Sequence, residues 1–209
     1  VGDPSRVVEV LTRVISQAKR LSGPAQLNIP RDFWTQVIDT EIVDPIEFDA
    51  SSGGSNSVAD AAALLSSAKN PVILNGAGVV LSKGGIDASK DLAERLSAPV
   101  CVGYQHNDAF PGNHPLYAGP LGYNGSKAGM ELISQADVVL CLGTRLNPFS
   151  TLPGYGIEYW PTNAKIIQVD LNPDRIGLTK PVTVGIVGDA AKVATGIAAK
   201  LSGSAGDAG

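Results

Sequence analysis

Apolar positions along the chain fall into short unbroken runs rather than strict alternation. The clearest is Val138–Leu142, five apolar residues closed by Gly143. A run of that kind, rich in β-branched residues and ended by glycine, predicts a strand buried on both faces. Pro71–Asn75, Pro99–Val102, Lys165–Val169 and Val182–Val187 share its character, and a further short strand is expected near Leu116. Between the strands the period changes from two to about 3.6. Helices are expected from Ser57 to about Lys69, from about Ile86 to Ser97, from Lys127 to Gln135, and from a cap at Asp189 to about Leu201. Ser57 with Asp60 reads as an acidic capping box. Strand alternating with helix predicts an α/β fold, a three-layer Rossmann-like parallel sheet of about six strands with helices on both faces.

Ahead of this unit the pattern differs. Asp3-Pro4 reads as a helix cap followed by proline at the first helical position. Val7, Val10, Leu11, Val14, Ile15, Ala18 and Leu21 then recur at helical spacing to Gly23, and Ala25–Ile29 reads as a short strand stopped by Pro30. One helix and one strand cannot build a core. The Gly/Ser-rich tract Ser51–Ser57 reads as flexible. The expected organisation is therefore residues 1–39 as the remnant of a preceding domain, 40–56 as a linker, 57–201 as the main domain and 202–209 as a linker tail. The first residue is Val, so a piece excised from a longer protein is expected.

Composition narrows the function classes. Charged residues are 17% of the chain and the net charge is −4, with no basic patch, so no nucleic-acid partner is expected. No apolar run approaches the length of a membrane span. Cys101 and Cys141 both fall in predicted core strands, which points to buried free thiols and a reducing, cytoplasmic compartment. His106 and His114 share a long loop with Asp108 without metal-ligand spacing, so surface or interface histidines are expected. Walker A, Gly-x-Ser-x-Gly and Cys-x-x-Cys sequences do not occur, and no nucleophile and base pair is identifiable.

Candidate binding residues gather where predicted strands end, the place at which open α/β sheets hold ligands. Gly76 and Gly78 follow the first strand as half of a dinucleotide fingerprint. Leu81 stands where a third glycine belongs, and Gly103-Tyr104 where an acid would grip a ribose, which weakens a nicotinamide reading. Gly143, Thr144 and Arg145 follow the central strand, and Arg145 suits a phosphate. Asp170 could accept from a ribose or simply close a turn. Asp189 fits a helix cap better than a ligand residue.

The ordered motifs Gly23-Pro-Ala-Gln-Leu-Asn-Ile-Pro-Arg-Asp32, Asn70-Pro-Val-Ile-Leu-Asn-Gly-Ala-Gly78, Phe110-Pro-Gly-Asn-His-Pro-Leu116, Ala136–Arg145, Ile167–Gly177 and Val187-Gly-Asp189 resemble the thiamine diphosphate-dependent enzymes of the acetolactate synthase group. Pro120–Ser126 and Leu146–Gly156 are most similar to a branch that passes an acetyl group from a sulfonated aldehyde to phosphate, releasing sulfite. The resemblance implies a three-domain subunit of which this chain is the central domain plus the end of the pyrimidine-binding domain, assembled as a homo-oligomer. Thiamine diphosphate and Mg2+, with the catalytic glutamate, would then lie on parts absent from this chain, and the piece alone would be inactive. Some members bind ADP or FAD in the central domain; the matching positions are Gly76, Gly78, Gly143, Thr144, Arg145, Asp170 and Asp189. Where flavin-binding relatives have an Arg-Phe-Asp-Asp-Arg turn, this chain has Arg145-Leu-Asn-Pro-Phe149, which implies a mainly structural domain. A free-standing nucleotide-binding module and a nicotinamide oxidoreductase are the competing expectations.

Overall fold

Six parallel strands, β1 (Pro71–Asn75), β2 (Val100–Gly103), β3 (Tyr117–Leu121), β4 (Val138–Leu142), β5 (Lys165–Asp170) and β6 (Val184–Val187), form one sheet in the order β3-β2-β1-β4-β5-β6 in the computed structural model. The structure describes residues 1–21 and 23–201; the expected tail at 202–209 lies outside them. The chain divides into two units, Val1–Ala50 and the part from Ser51 onward.

In the larger unit each strand sends alternate side chains to opposite faces, as the pleat dictates. Ile73, Val138, Leu140, Leu142, Ile167 and Val169 enter one core, with side chains of α2 (Ser55–Ser67), α4 (Gly85–Leu96) and α6 (Ala190–Lys200). Val72, Leu74, Cys101, Val139 and Cys141 enter the other, covered by α5 (Lys127–Ile133) and by Tyr159 from the loop after β4. Three layers result, with both faces of β1, β2, β4 and β5 dry, which explains why those strands read as nearly unbroken apolar runs. β3 was the faintest in sequence because it carries Gly119 and Pro120; Pro is tolerated there because β3 is an outermost strand.

Several expectations need correction. A short helix, α3 (Ala77–Leu81), follows β1 directly and was not anticipated. α2 begins at Ser55 with Gly54 as its N-cap and no side-chain cap, so the Ser57–Asp60 capping box is not used. The Ser51–Ser57 tract, although mostly exposed, is tied at its start to the end of β6, and its last three residues open α2. The Ser51 carbonyl accepts from the Asp189 amide at 2.8 Å, and the Ser51 hydroxyl donates to the Val187 carbonyl at 3.1 Å. Gly53, at φ 82°, lies so close to Ile186 that a Cβ would meet its Cγ2 at 2.6 Å. The tract's small residues permit close packing at the end of β6, which composition cannot distinguish from flexibility.

In the smaller unit α1 (Val7–Leu21) follows a 3-10 turn, Pro4–Arg6, capped by Asp3, whose carboxylate accepts from the Ser5 amide at 2.9 Å. Residues 25–29 form no strand, since a β-ladder requires a neighbouring strand and none is present among the described residues of this unit. The only buried residue of α1 is Ser16, whose hydroxyl donates to the Ile46 carbonyl at 2.9 Å. The apolar side chains of its stripe are half-buried or exposed.

Both cysteines are free and buried. Burial pushes the Cys101 thiol up to about 12 and the Cys141 thiol higher still, so neither is a thiolate at neutral pH. At the start of β4 the Asp137 carboxylate accepts from the amides of Lys69 (2.7 Å) and Asn70 (2.9 Å), tying the α2–β1 connection to the next strand. Burial pushes this carboxyl up, but backbone amides including those two outweigh it and hold it below the usual aspartate value. A depressed folded value means the stabilisation is present above the unfolded value and lost as pH falls through the folded one. Asp137→Asn is therefore expected to cost roughly 1 kcal/mol at pH 7. In urea titrations the gap between the two proteins should close below about pH 4; a gap that stays constant to pH 2 would discount this account.

Candidate functional site

The strand order reverses between β1 and β4: β2 and β3 extend to one side of β1, and β5 and β6 continue beyond β4. This is the switch point expected to hold a ligand. Register pairs Asn75 with Leu142, so the two turns leaving these strands start level with each other.

Those turns interlock. The Gly76 amide donates to the Leu142 carbonyl at 3.0 Å, Gly78 to the Gly143 carbonyl at 2.8 Å, and Gly143 to the Val169 carbonyl at 3.0 Å. A Cβ on Gly76 would stand 2.5 Å from Thr144 Cβ, and one on Gly78 would stand 2.6 Å from Gly143 Cα. The glycines let backbone approach backbone, and three amides of the kind that cradle a pyrophosphate are instead engaged across the sheet. Thr144 is buried and its hydroxyl accepts from the Leu146 amide at 3.2 Å. Leu146, at φ 53°, then turns its side chain into the core. Arg145 is left exposed between them, with no ion pair among the described residues.

The two acids have local work. Asp170 is buried; its Oδ1 accepts from the Asn172 amide at 2.9 Å and stands 3.9 Å from Arg175 Nη1. This is the turn-closing arrangement. Asp189 caps α6 by accepting from the Lys192 amide at 3.0 Å. The Ser82 hydroxyl, just past α3, lies 2.7 Å from each Asp189 carboxylate oxygen and accepts from the Ala191 amide at 3.1 Å. Gly76, Gly78, Gly143 and Thr144 thus come into direct contact, whereas Asp170 and Asp189 stand on the neighbouring strand ends.

Two buried amide side chains that sequence reasoning passed over hold this end of the sheet. Gln168 in β5 donates to the carbonyls of Thr144 (3.1 Å) and Arg175 (3.2 Å) and accepts from the Gly177 amide at 2.8 Å. Asn75, fully buried at the end of β1, donates to the Ala109 carbonyl at 2.9 Å and exchanges hydrogen bonds with Ser89 of α4 at 2.8 and 3.1 Å. Their signal was available: a lone amide inside a run buried on both faces must find partners. Tyr159 is the exception. It is buried, its hydroxyl approaches only the Gly122 backbone among the described residues and without good hydrogen-bond geometry, and burial outweighs that contact and pushes the group up to about 12.

His114 is largely covered rather than at the surface. Its Nδ1 accepts from the Leu116 amide at 3.2 Å, its Nε2 is 3.1 Å from Glu94 Oε1, and its ring stands edge-on to Phe110. His106 is 3.8 Å from Asp108. Among the described residues no group of three His, Cys, Asp or Glu side chains could hold a metal ion, and no helix is long and apolar enough to cross a membrane. A groove of about 470 Å3 lies at the opposite end of the sheet, between Pro71, Pro99 and Leu132, with Lys69, Glu131 and Gln135 at its rim. None of the candidate residues lines it.

Comparison with known proteins agrees with this architecture. The chain is 72% identical over 208 residues to a sulfoacetaldehyde acetyltransferase of Roseovarius nubinhibens, covering 100% of this chain and 34% of that protein. It is 51% identical over 203 residues to one from Castellaniella defragrans, covering 97% and 34%. Among solved structures, a Mycobacterium smegmatis protein described as a thiamin diphosphate-dependent enzyme superposes with a TM-score of 0.79 at 27% identity, covering 96% of this chain and 38% of that one. The chain spans about a third of the length of the curated relatives it matches. The family model for the central domain of thiamine pyrophosphate enzymes matches residues 58–197, from the first turn of α2 to the last of α6, so the chain belongs to that family and carries its central domain.

Proposed function

We propose that this chain is the central-domain portion of a cytoplasmic sulfoacetaldehyde acetyltransferase. The whole enzyme would use thiamine diphosphate and Mg2+ in sulfonate metabolism, converting sulfoacetaldehyde and phosphate into acetyl phosphate and sulfite. The observation that carries this reading is likeness along the entire chain to relatives of that name. The piece itself serves as structure. Among the described residues no acidic or histidine cluster fits the metal that would anchor a diphosphate, and the glycine-turn amides at the switch point are engaged in backbone bonds. These residues do not fit thiamine diphosphate, which is assigned to flanking domains. Residues 1–39 fit the end of the pyrimidine-binding domain, and the full-length enzyme is read as a homo-oligomer.

The test is sulfite release. A full-length protein containing this chain, supplied with sulfoacetaldehyde, phosphate, thiamine diphosphate and Mg2+, should release sulfite and form acetyl phosphate in equal amounts, while the 209 residues alone should release none. Turnover by the 209 residues, or a full-length protein that forms acetolactate from pyruvate instead, would overturn it.

A second reading, a nucleotide or flavin module, draws on one observation: Arg145 is exposed and without an ion pair at the switch point. Calorimetric titration with ADP and FAD decides it. Micromolar binding weakened by Arg145→Ala would favour it, and no heat with either ligand would remove it.

A further inference from the structure

The groove of about 470 Å3 at the N-terminal end of the sheet has an apolar floor and an uneven rim. Pro71, which opens β1, and Pro99, which immediately precedes β2, form the floor with Val72, and Leu132 of α5 closes one side. On the rim two acceptors are engaged. Glu131 Oε1 stands 3.6 Å from Lys127 Nζ, and the Glu131 carbonyl accepts from Gln135 Nε2 at 3.2 Å. The Lys69 ammonium, by contrast, makes no ion pair among the described residues, and the Asn70 and Ser97 side chains are exposed on the same rim. The groove therefore offers a positive charge and hydrogen-bond donors above an apolar floor.

The backbone here is unsuited to receiving a polypeptide segment. Pro71 and Pro99 have no N–H to offer. The Lys69 and Asn70 amides donate to the Asp137 carboxylate at 2.7 and 2.9 Å. The Asn70 carbonyl accepts from the Asp137 amide at 3.3 Å, and the Pro99 carbonyl from the Ile73 amide at 3.0 Å. A segment laid in the groove, from this polypeptide or another, would bring an N–H and a C=O at every residue and find their partners taken, which is costly against an apolar floor. A compact molecule with one polar head carries no such cost.

We propose that this groove binds a small organic carboxylate, its apolar body on the proline floor and its charged head at Lys69. The volume falls in the range of pockets that hold small molecules, and such pockets are mostly apolar with a few polar groups that fix orientation. Lys69 supplies the charge complement that selects an anion. The site lies at the opposite end of the sheet from the switch point, shares no residue with it, and does not depend on the proposed activity.

Saturation-transfer NMR with benzoate tests it, on a full-length protein containing this chain and on the 209 residues. Saturable transfer to the benzoate ring is expected from both, with a dissociation constant of about 1 mM or tighter. Benzylamine, the same ring with a cationic head, should bind at least about 10-fold more weakly, and Lys69→Glu should weaken benzoate by roughly the same factor. Ala128→Phe, which sets a ring at an exposed position of the groove wall, should leave no saturable transfer. Lys83→Glu, exposed beyond the other end of β1, should change nothing. All three variants alter exposed residues, so an unchanged melting temperature separates loss of the site from loss of the fold. The proposal is overturned by absence of saturable transfer, by benzylamine binding as tightly as benzoate, or by benzoate binding that either Lys69→Glu or Ala128→Phe leaves unchanged. Binding to the 209 residues that the full-length protein lacks would also overturn it, because the rest of the polypeptide would then fill the groove.

Discussion

Gly143→Ala is expected to remove roughly 3 kcal/mol or more of folding stability, because two costs coincide there. The residue has φ 61°, and its added Cβ would stand 2.7 Å from Gly78 Cα. Gly78 Cα and the adjoining Val79 N, 2.8 Å away, are backbone rather than the movable tip of a side chain, so relief requires β1 and β4 to part at the switch point. Gly156→Ala separates the two costs. Gly156 has φ 71° and nothing within 4 Å of a Cβ, so that substitution should cost about 1 kcal/mol from conformation alone. Gly78→Ala, whose Cβ would stand 2.6 Å from Gly143 Cα, reports the clash. Chemical denaturation of the three variants checks the order. If Gly143→Ala loses no more than Gly156→Ala, the interlock of the two turns is not tight.

Asn75→Asp should be as damaging and should depend on pH. Asn75 is fully buried, and its Nδ2 donates both to Ser89 Oγ and to the Ala109 carbonyl. An aspartate sets an acceptor against that carbonyl and leaves a carboxylate in a dry site, a change of roughly 3–5 kcal/mol when charged. Burial favours the protonated acid, so its folded value rises above the unfolded one. The folded state then binds more protons, and stability falls as pH rises from about 4 toward that raised value. The variant should be nearest to the parent protein in acid and furthest from it at pH 7. Urea midpoints between pH 3 and 8 show this directly; a difference independent of pH would mean that water reaches the site.

The sheet was legible in the sequence because a strand buried on both faces must be apolar at every position. Val138–Leu142 could hardly be otherwise once its two faces enter two cores. The candidate residues at strand ends were legible for a related reason: glycine and polar residues close most of these runs at their ends, Gln168 within β5 being an exception. What those residues do was not legible. Gly76, Gly78 and Gly143 look alike whether they admit a pyrophosphate or each other, and only the paired turns show the second arrangement. Asp170 and Asp189 could be ligand residues or local anchors, and the Asn172 and Lys192 amides decide for anchors.

Gln168 and Asn75 were missed because each stands alone in a run read for its apolar neighbours. Their partners lie seven or more residues away, on other elements. In the Ser/Gly tract before α2, small residues serve flexibility and close approach equally, and only the structure shows Gly53 beside Ile186. By itself, then, the sequence determined the parallel α/β class, the buried strands, both buried thiols and the family, since these follow from residue type and local order. Tertiary structure alone decided that the switch point is closed by backbone against backbone, and that Gln168 and Asn75 find their partners on other elements. Both depend on which elements become neighbours, which no local pattern encodes.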